Sequence, residues 1–347
     1  MIAQQQVLEA LSKVKDPELG RSLVSLGMIQ DIQFDGSKVR FTIVLTTPAC
    51  PLTDVMDKDA KAAVGALPGV KEVNIKWESK VPSDARITDK LGGQFKNTIA
   101  VSSGKGGVGK TTVSVNLAVA LARMGATVGL LDADIYGPNV PMMLGIDRIP
   151  APRDNKMIPG YAHGLRVMSI GFLVPPDQPV IWRGPMIHSA IRQFLTDVDW
   201  GNPDYLIIDL PPGTGDAQLT LAQSVPLTGA VIVTTPQEVA LVDAVKGLAT
   251  FEKLEVDILG IVENMGPYTD PKTGQTISFF GEGGGKRMAE RLGVPFLGSV
   301  PLDPDVRVGG DAGTPIVVNH PDSPAAQIFK KIAQDVAARI SVLNLTE

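Results

Sequence analysis

Ser103-Gly104-Lys105-Gly106-Gly107-Val108-Gly109-Lys110-Thr111-Thr112 is the stretch whose reading decides the fold. A short apolar run, Ile99-Ala100-Val101, precedes it and a helical pattern follows, so its glycines fall at a strand-to-helix turn. Gly104, Gly109, Lys110 and Thr111 satisfy G-x-x-x-x-G-K-[ST]. In such a loop backbone N–H groups cradle phosphates, while the lysine and the hydroxyl serve the terminal phosphates and a magnesium ion. The helix entered near Lys110 adds the positive end of its dipole. Lys105, directly after the first glycine, has no task in an ordinary loop of this kind and asks for its own explanation.

Outward from the loop, from Asn97 on, short β-rich runs alternate with helical segments, the pattern of a doubly wound, mostly parallel α/β sheet. Strands are expected at 98–101, 127–132, 165–169, 205–210, 230–234, 258–262 and 295–300. Ligands of such sheets bind at the carboxyl ends of the strands. The second strand ends in Asp132-Ala133-Asp134. Two carboxylates so spaced suit a magnesium site and the positioning of water at a γ-phosphate, or else a helix cap or turn at Gly137-Pro138. The fourth strand ends in Asp209, an apolar run plus an acid that holds magnesium through water. It continues as Leu210-Pro211-Pro212-Gly213-Thr214-Gly215-Asp216, where prolines restrict the chain and glycines let amides approach a phosphate. Asn264 and Pro301-Leu302-Asp303 follow later strands, where amides and carbonyls can read adenine; as plain structure they are a turn residue and a strand stop. Gly281-Glu282-Gly283-Gly284-Gly285-Lys286 lacks a Lys-Ser/Thr pair and reads as a helix entry. His163, His188 and His320 lack metal-ligand spacing. Trp182-Arg183-Gly184-Pro185-Met186 opens a helix as core or as a partner surface.

Ahead of this region lies a smaller α+β unit. Val7, Leu8, Leu11 and Val14 recur at helical spacing, two strands meet at Asp35-Gly36, a helix spans 53–66 and a third strand 70–77. Domains are expected at 1–80 and 96–347, with 81–95 as a linker. Cys50 sits in Thr46-Thr47-Pro48-Ala49-Cys50-Pro51, just before a helix N-terminus. There a thiol can have a lowered pKa and act as nucleophile or metal ligand, or it can be buried and inert.

The chain has 347 residues, 44% hydrophobic and 20% charged, and a net charge of -5, values of a soluble protein large enough for two domains. No block of like charge argues for nucleic-acid or membrane binding, and neither an N-terminal signal core nor a membrane-length apolar run is present, so the expected location is cytoplasmic. With one cysteine, an intrachain disulfide is impossible and no iron-sulfur cluster can be held by this chain's thiolates alone.

Asp16-Pro17-Glu18-Leu19, Leu26-Gly27-Met28-Ile29 and the Cys50 motif resemble the small domain of MIP18-type iron-sulfur assembly factors, over about residues 5 to 78. In that family the cysteine is associated with cluster assembly. The loop from Gly104 to Thr112, with Lys105 in it, resembles the deviant phosphate loop of the MinD/ParA/NifH class of dimeric ATPases. That resemblance implies that Lys105 reaches the ATP of a second subunit. Asp209–Asp216, Asp132–Pro138, Trp182–Met186, Thr235-Pro236-Gln237-Glu238-Val239-Ala240-Leu241 and Phe280–Gly285 narrow it to the Mrp/ApbC/Nbp35 branch of iron-sulfur cluster carriers that bind and hydrolyse ATP. In that branch a Cys-x-x-Cys follows the Asn-Met strand end. Here Asp270 and Thr273 stand at those places, and neither is the soft ligand a cluster takes.

The expected function is thus that of a homodimeric, magnesium-dependent ATPase acting in iron-sulfur delivery to client apoproteins or with assembly proteins. Lys105, Lys110 and Asp134 are its catalytic candidates. Residues 104–112, Asn264, Pro301 and Asp303 hold nucleotide, Thr111, Asp132 and Asp209 hold magnesium, and Cys50 is the one thiol open to a cluster. The alternative is a nucleotide-gated scaffold that carries no cluster.

Overall fold

The computed structural model describes residues 3–17, 19–91, 93–135, 137–173 and 184–346. It divides into two compact units: the chain up to Pro82 together with the residues from Ala337 on, and Ser83–Val336.

The first unit contains α1 (Gln4–Leu11), β1 (Ile29–Asp35), β2 (Lys38–Leu45), α2 (Thr53–Gly65) and β3 (Glu72–Ser79). Its sheet has the order β1-β2-β3, with β1 antiparallel and β3 parallel to the central strand. The alternating Val39, Phe41, Ile43 and Leu45 turn one face of β2 inward. Val7 and Leu11 of α1, and Met56, Ala60 and Val64 of α2, four residues apart, belong to the same core. A parallel β2–β3 pair needs a crossover, and α2 is that helix.

In the second unit come α3 (Ala85–Leu91), β4 (Asn97–Ser103), α4 (Lys110–Arg123), β5 (Val128–Asp132), α5 (Val140–Met143), β6 (Gly160–Ala162), β7 (Leu165–Ser169), α6 (Gly184–Thr196), β8 (Tyr205–Asp209), α7 (Asp216–Ser224), β9 (Gly229–Thr234) and α8 (Glu238–Lys253). They are followed by β10 (Ile258–Gly266), the short hairpin β11 (Tyr268–Thr269) and β12 (Thr276–Ile277), α9 (Gly284–Leu292), β13 (Phe296–Pro301), α10 (Pro304–Asp311), α11 (Ile316–Asn319) and α12 (Pro324–Thr346). From Ala337 on, α12 groups with the first unit.

Eight strands run in the order β13-β10-β9-β4-β8-β5-β7-β6, all parallel except the edge strand β6. Helices cover both faces, which is why every residue of β4, β5, β8 and β9 is buried and these strands read as unbroken apolar runs. All seven strands expected from the sequence are present. The chain leaves β4 toward β5 on one side and returns to β9 on the other, which makes the end of β4 the switch point where a crevice opens. The stretch taken for a linker differs from expectation: 85–91 is helical. Asp84 accepts the Arg86 N–H at 2.9 Å, and Ile87 is fully buried in the core of this unit. One buried residue in two helical turns is too weak a period to be seen in the sequence.

Candidate nucleotide site

The loop between β4 and α4 is fixed from three sides. At Gly104 a Cβ would lie 2.1 Å from the Asp243 carbonyl carbon in α8, so only glycine lets the loop leave the strand. At Gly109 φ is 79° and a Cβ would meet the Asn264 amide nitrogen at 2.1 Å. The Ser103 hydroxyl donates to the Lys105 carbonyl (2.9 Å), Gly213 N–H to the Ser103 carbonyl (3.0 Å) and the Asn264 amide to the Val108 carbonyl (2.9 Å). The carbonyls of Ser103, Lys105 and Val108 are thereby held by protein donors. α4 starts at Lys110, and its first-turn amides have no preceding helical carbonyl to bond.

The loop forms one wall of a cavity of about 530 Å³ that residues 105–112, Asp134, Asn264, Pro301 and Asp303 also line. Lys110 is buried at its floor, with Nζ 2.8 Å from Asp209 Oδ1 and 3.7 Å from Asp134 Oδ2. Asp209, fully buried, also accepts the Thr111 hydroxyl at 2.7 Å and the Ser114 hydroxyl at 2.6 Å. Ser114 is a participant the motif does not include, although its place one helical turn after Thr111 puts both hydroxyls on one face. The Thr111 hydroxyl beside the Asp209 carboxylate is a hard oxygen pair of the kind magnesium takes, so these residues fit the ion.

Asp132 and Asp134 part company. Asp134 lines the cavity, whereas Asp132 is wholly buried and outside its lining. The Asp132 carboxylate accepts the Ser169 hydroxyl at 3.0 Å and the N–H groups of Asp134 (3.2 Å) and Val140 (3.3 Å). It thus ties both ends of the loop that carries Asp134 to the end of β7. Burial, and after it the charge of Asp209, pushes the Asp132 carboxyl up to about 8, against the Ser169 hydroxyl, Lys110 and the Asp134 N–H.

A carboxyl raised in the folded state takes up a proton on folding, so its contribution is complete below pH ~4 and is lost as pH rises through ~8. Asp132→Asn removes that loss and gives up one of the accepted hydrogen bonds at every pH. In thermal unfolding without nucleotide or magnesium, the variant therefore gains on the wild type by roughly 1–3 kcal/mol between pH 6 and pH 9. Parallel stability curves would sink this account.

Other candidates are spread more widely. Asp303 caps α10 by accepting the Asp305 N–H at 2.8 Å, and Pro301 ends β13. Glu263 fills the helix entry at Gly283–Gly285 from within, accepting the Gly285 N–H at 2.7 Å and the Gly283 N–H at 3.2 Å. That entry is therefore closed to a second anion. Asp270 turns the β11–β12 hairpin by accepting the N–H groups of Lys272 (2.7 Å) and Thr273 (3.0 Å), and these amides hold its carboxyl below the usual range. Among the described residues no three His, Cys, Asp or Glu side chains are placed to hold a metal ion, and at the hairpin Asp270 and Thr273 offer oxygen where a cluster takes sulfur. Cys50 is half-buried three residues ahead of α2, its carbonyl accepting the Thr53 hydroxyl at 3.2 Å. Trp182 and Arg183 lie outside the described residues. No helix among those described is long and apolar enough to cross a membrane.

Comparison with known proteins agrees with this geometry. A family model described as NUBPL iron-transfer P-loop NTPase matches residues 94–337, and one described as iron-sulfur cluster assembly protein matches residues 4–77. A protein of Synechocystis sp. named iron-sulfur cluster carrier protein is 52% identical over 352 residues, which cover 99% of this chain and 100% of that protein. The nucleotide-binding protein of Archaeoglobus fulgidus, solved in complex with ADP, is 39% identical with a TM-score of 0.61, over 71% of this chain and 97% of its own. The cell division ATPase MinD of Pyrococcus furiosus is 26% identical with a TM-score of 0.52, over 69% of this chain and 98% of its own. A phosphate loop in this setting, together with matches that run along nearly the whole sequence, means that the chain belongs to the family of NUBPL iron-transfer P-loop NTPases, with an iron-sulfur cluster assembly domain ahead of the nucleotide-binding unit.

Proposed function

We propose that this chain is a cytoplasmic, magnesium-dependent ATPase that works as a homodimer in the assembly of iron-sulfur clusters or their transfer to apoproteins. The observation that carries the reading is the pair Lys110 and Thr111 on the lining of the 530 Å³ cavity, both bonded to the buried Asp209 behind them. On entry of ATP, Lys110 would exchange its carboxylate partners for β- and γ-phosphate oxygens, while loop amides and the start of α4 take the remaining charge. Thr111 and Asp209 would hold magnesium, which supplies neutralisation of the phosphate charge. Asp134, 3.7 Å from Lys110, would orient the attacking water, and cleavage of the terminal P–O bond leaves ADP and phosphate. Asn264, Pro301 and Asp303, on the lining of the same cavity, would border the base. Among the described residues no acid lies within ion-pair distance of Lys105, which supports its availability to a second copy.

The cluster is cargo, and the hairpin at Asp270 and Thr273 has no soft ligand for it, so Cys50 is the thiol this chain offers. Two copies would offer two, short of the four that a cluster takes from cysteine alone, and a client or small thiol would complete the set. Anaerobic reconstitution with iron and sulfide tests this. Wild type is expected to bind a cluster that Cys50→Ser loses, with ATP turnover unchanged. Absence of a cluster in wild type under all conditions favours the second reading, a nucleotide-gated scaffold, for which the tightly turned hairpin is the supporting observation.

A further inference from the structure

A second large cavity of the nucleotide-binding unit, about 620 Å³, lies at the opposite end of the sheet. It is bordered by Pro226 and Leu227, and Pro226 accepts the hydroxyl of Thr98 at the beginning of β4, whereas the phosphate loop follows the end of that strand. The length of β4 separates the two sites by roughly 20 Å. Leu195, Val225, Leu227 and Leu254 give the groove an apolar floor. Its rim carries Arg86, Lys90, His188 and Arg192, and among the described residues Glu255 is the one acid on the lining. Arg86 is already committed, 3.0 Å from Asp84 and 3.6 Å from Asp257. Lys90, His188 and Arg192 are exposed and form no ion pair among the described residues. The wall that bears Lys90 is α3, the helix formed by the stretch that reads as a linker.

We propose that this groove docks an acidic, partly apolar peptide segment of a partner protein, with apolar side chains on the floor and carboxylates at Lys90 and Arg192. The chemistry favours a peptide over a small phosphate. The groove is bordered by the C-terminal ends of α6, α7 and α8, and at the start of α3 the Arg86 N–H is already taken by Asp84, so helix ends offer no phosphate cradle here and the attraction for an anion rests on the Lys90 and Arg192 side chains beside the apolar floor. The apolar floor is recessed behind a rim, which suits inserted side chains and not a flat lipid surface. A chain of net charge -5 repels anionic polymers in general, so an acidic partner is drawn to this face by its local charge. The proposal is independent of the reading of the nucleotide site.

The test uses the full chain and a fluorescein-labelled peptide of Glu-Glu-Leu repeats, followed by fluorescence anisotropy. Wild type is expected to bind it, more weakly as salt rises. The Lys90→Glu, Arg192→Glu double variant should bind at least about tenfold more weakly, and the Lys90→Gln, Arg192→Gln pair should fall between. ATP turnover and thermal midpoint should stay at wild-type values, since both side chains are exposed. The proposal is overturned by equal affinity in all three proteins, by equal affinity for a Lys-Lys-Leu peptide, or by no peptide binding at all. It is equally overturned if charge reversal alters only binding to phosphatidylserine vesicles or to inorganic phosphate.

Discussion

Lys110→Ala is expected to lower ATP hydrolysis by about 10³-fold and to abolish nucleotide-dependent stabilisation. The effect is large because of where Lys110 sits: it is 5% exposed, directly beneath the loop, and among the described residues the one lysine within ion-pair distance of both Asp209 and Asp134. Its loss acts on the empty protein too. Asp209 stays fully buried, with hydroxyl donors from Thr111 and Ser114 but no cation, and Asp132 lies near enough to feel its charge. Breaking a buried pair on one side costs about 3–5 kcal/mol, so the nucleotide-free variant should melt well below the wild type. Magnesium and ATP should raise the wild-type midpoint and leave that of the variant in place. Hydrolysis within tenfold of wild type would remove Lys110 from the phosphate site.

The sequence makes some of this site visible and hides the rest for reasons of distance. The loop after β4 is legible because phosphate binding needs glycine, lysine and hydroxyl at fixed local spacing, and the flanking strand and helix are local patterns as well. Asp209 is legible as the end of a wholly buried strand. The different fates of Asp132 and Asp134 are not, since two acids two residues apart look equivalent until Ser169, on another strand, claims the first. Asn264 stands in the sequence as a residue able to read a base, yet its amide holds the Val108 carbonyl from 156 positions away. The edge strand β6 and the β11–β12 hairpin are two or three residues per strand, too short to establish a period. For the two acids and Asn264 the missing information is a tertiary contact, and for the short strands it is length.

Lys105→Ala is expected to lower hydrolysis about as far as an arginine-finger deletion does, on the order of 10³-fold, while each subunit still binds ATP. The contrast with Lys110 is geometric: both line the same cavity, but Lys110 is buried between acids whereas Lys105 is half-exposed. Removing it leaves no buried charge unpaired, so the thermal midpoint of the empty protein should hardly move. If Lys105 serves the opposite subunit, two inactive variants should rescue one another. In an equal mixture of Lys105→Ala and Lys110→Ala, half the dimers of a symmetric pair are mixed and each contains one complete site, so turnover should recover to about a quarter of wild type. That complete site would take Lys110 from one subunit and Lys105 from the other. If Lys105 acted within its own subunit, no mixture could assemble a complete site and activity would stay at the level of the single variants. Recovery that rises and falls with protein concentration, read together with mass by light scattering, would tie the second lysine of the loop to dimer formation.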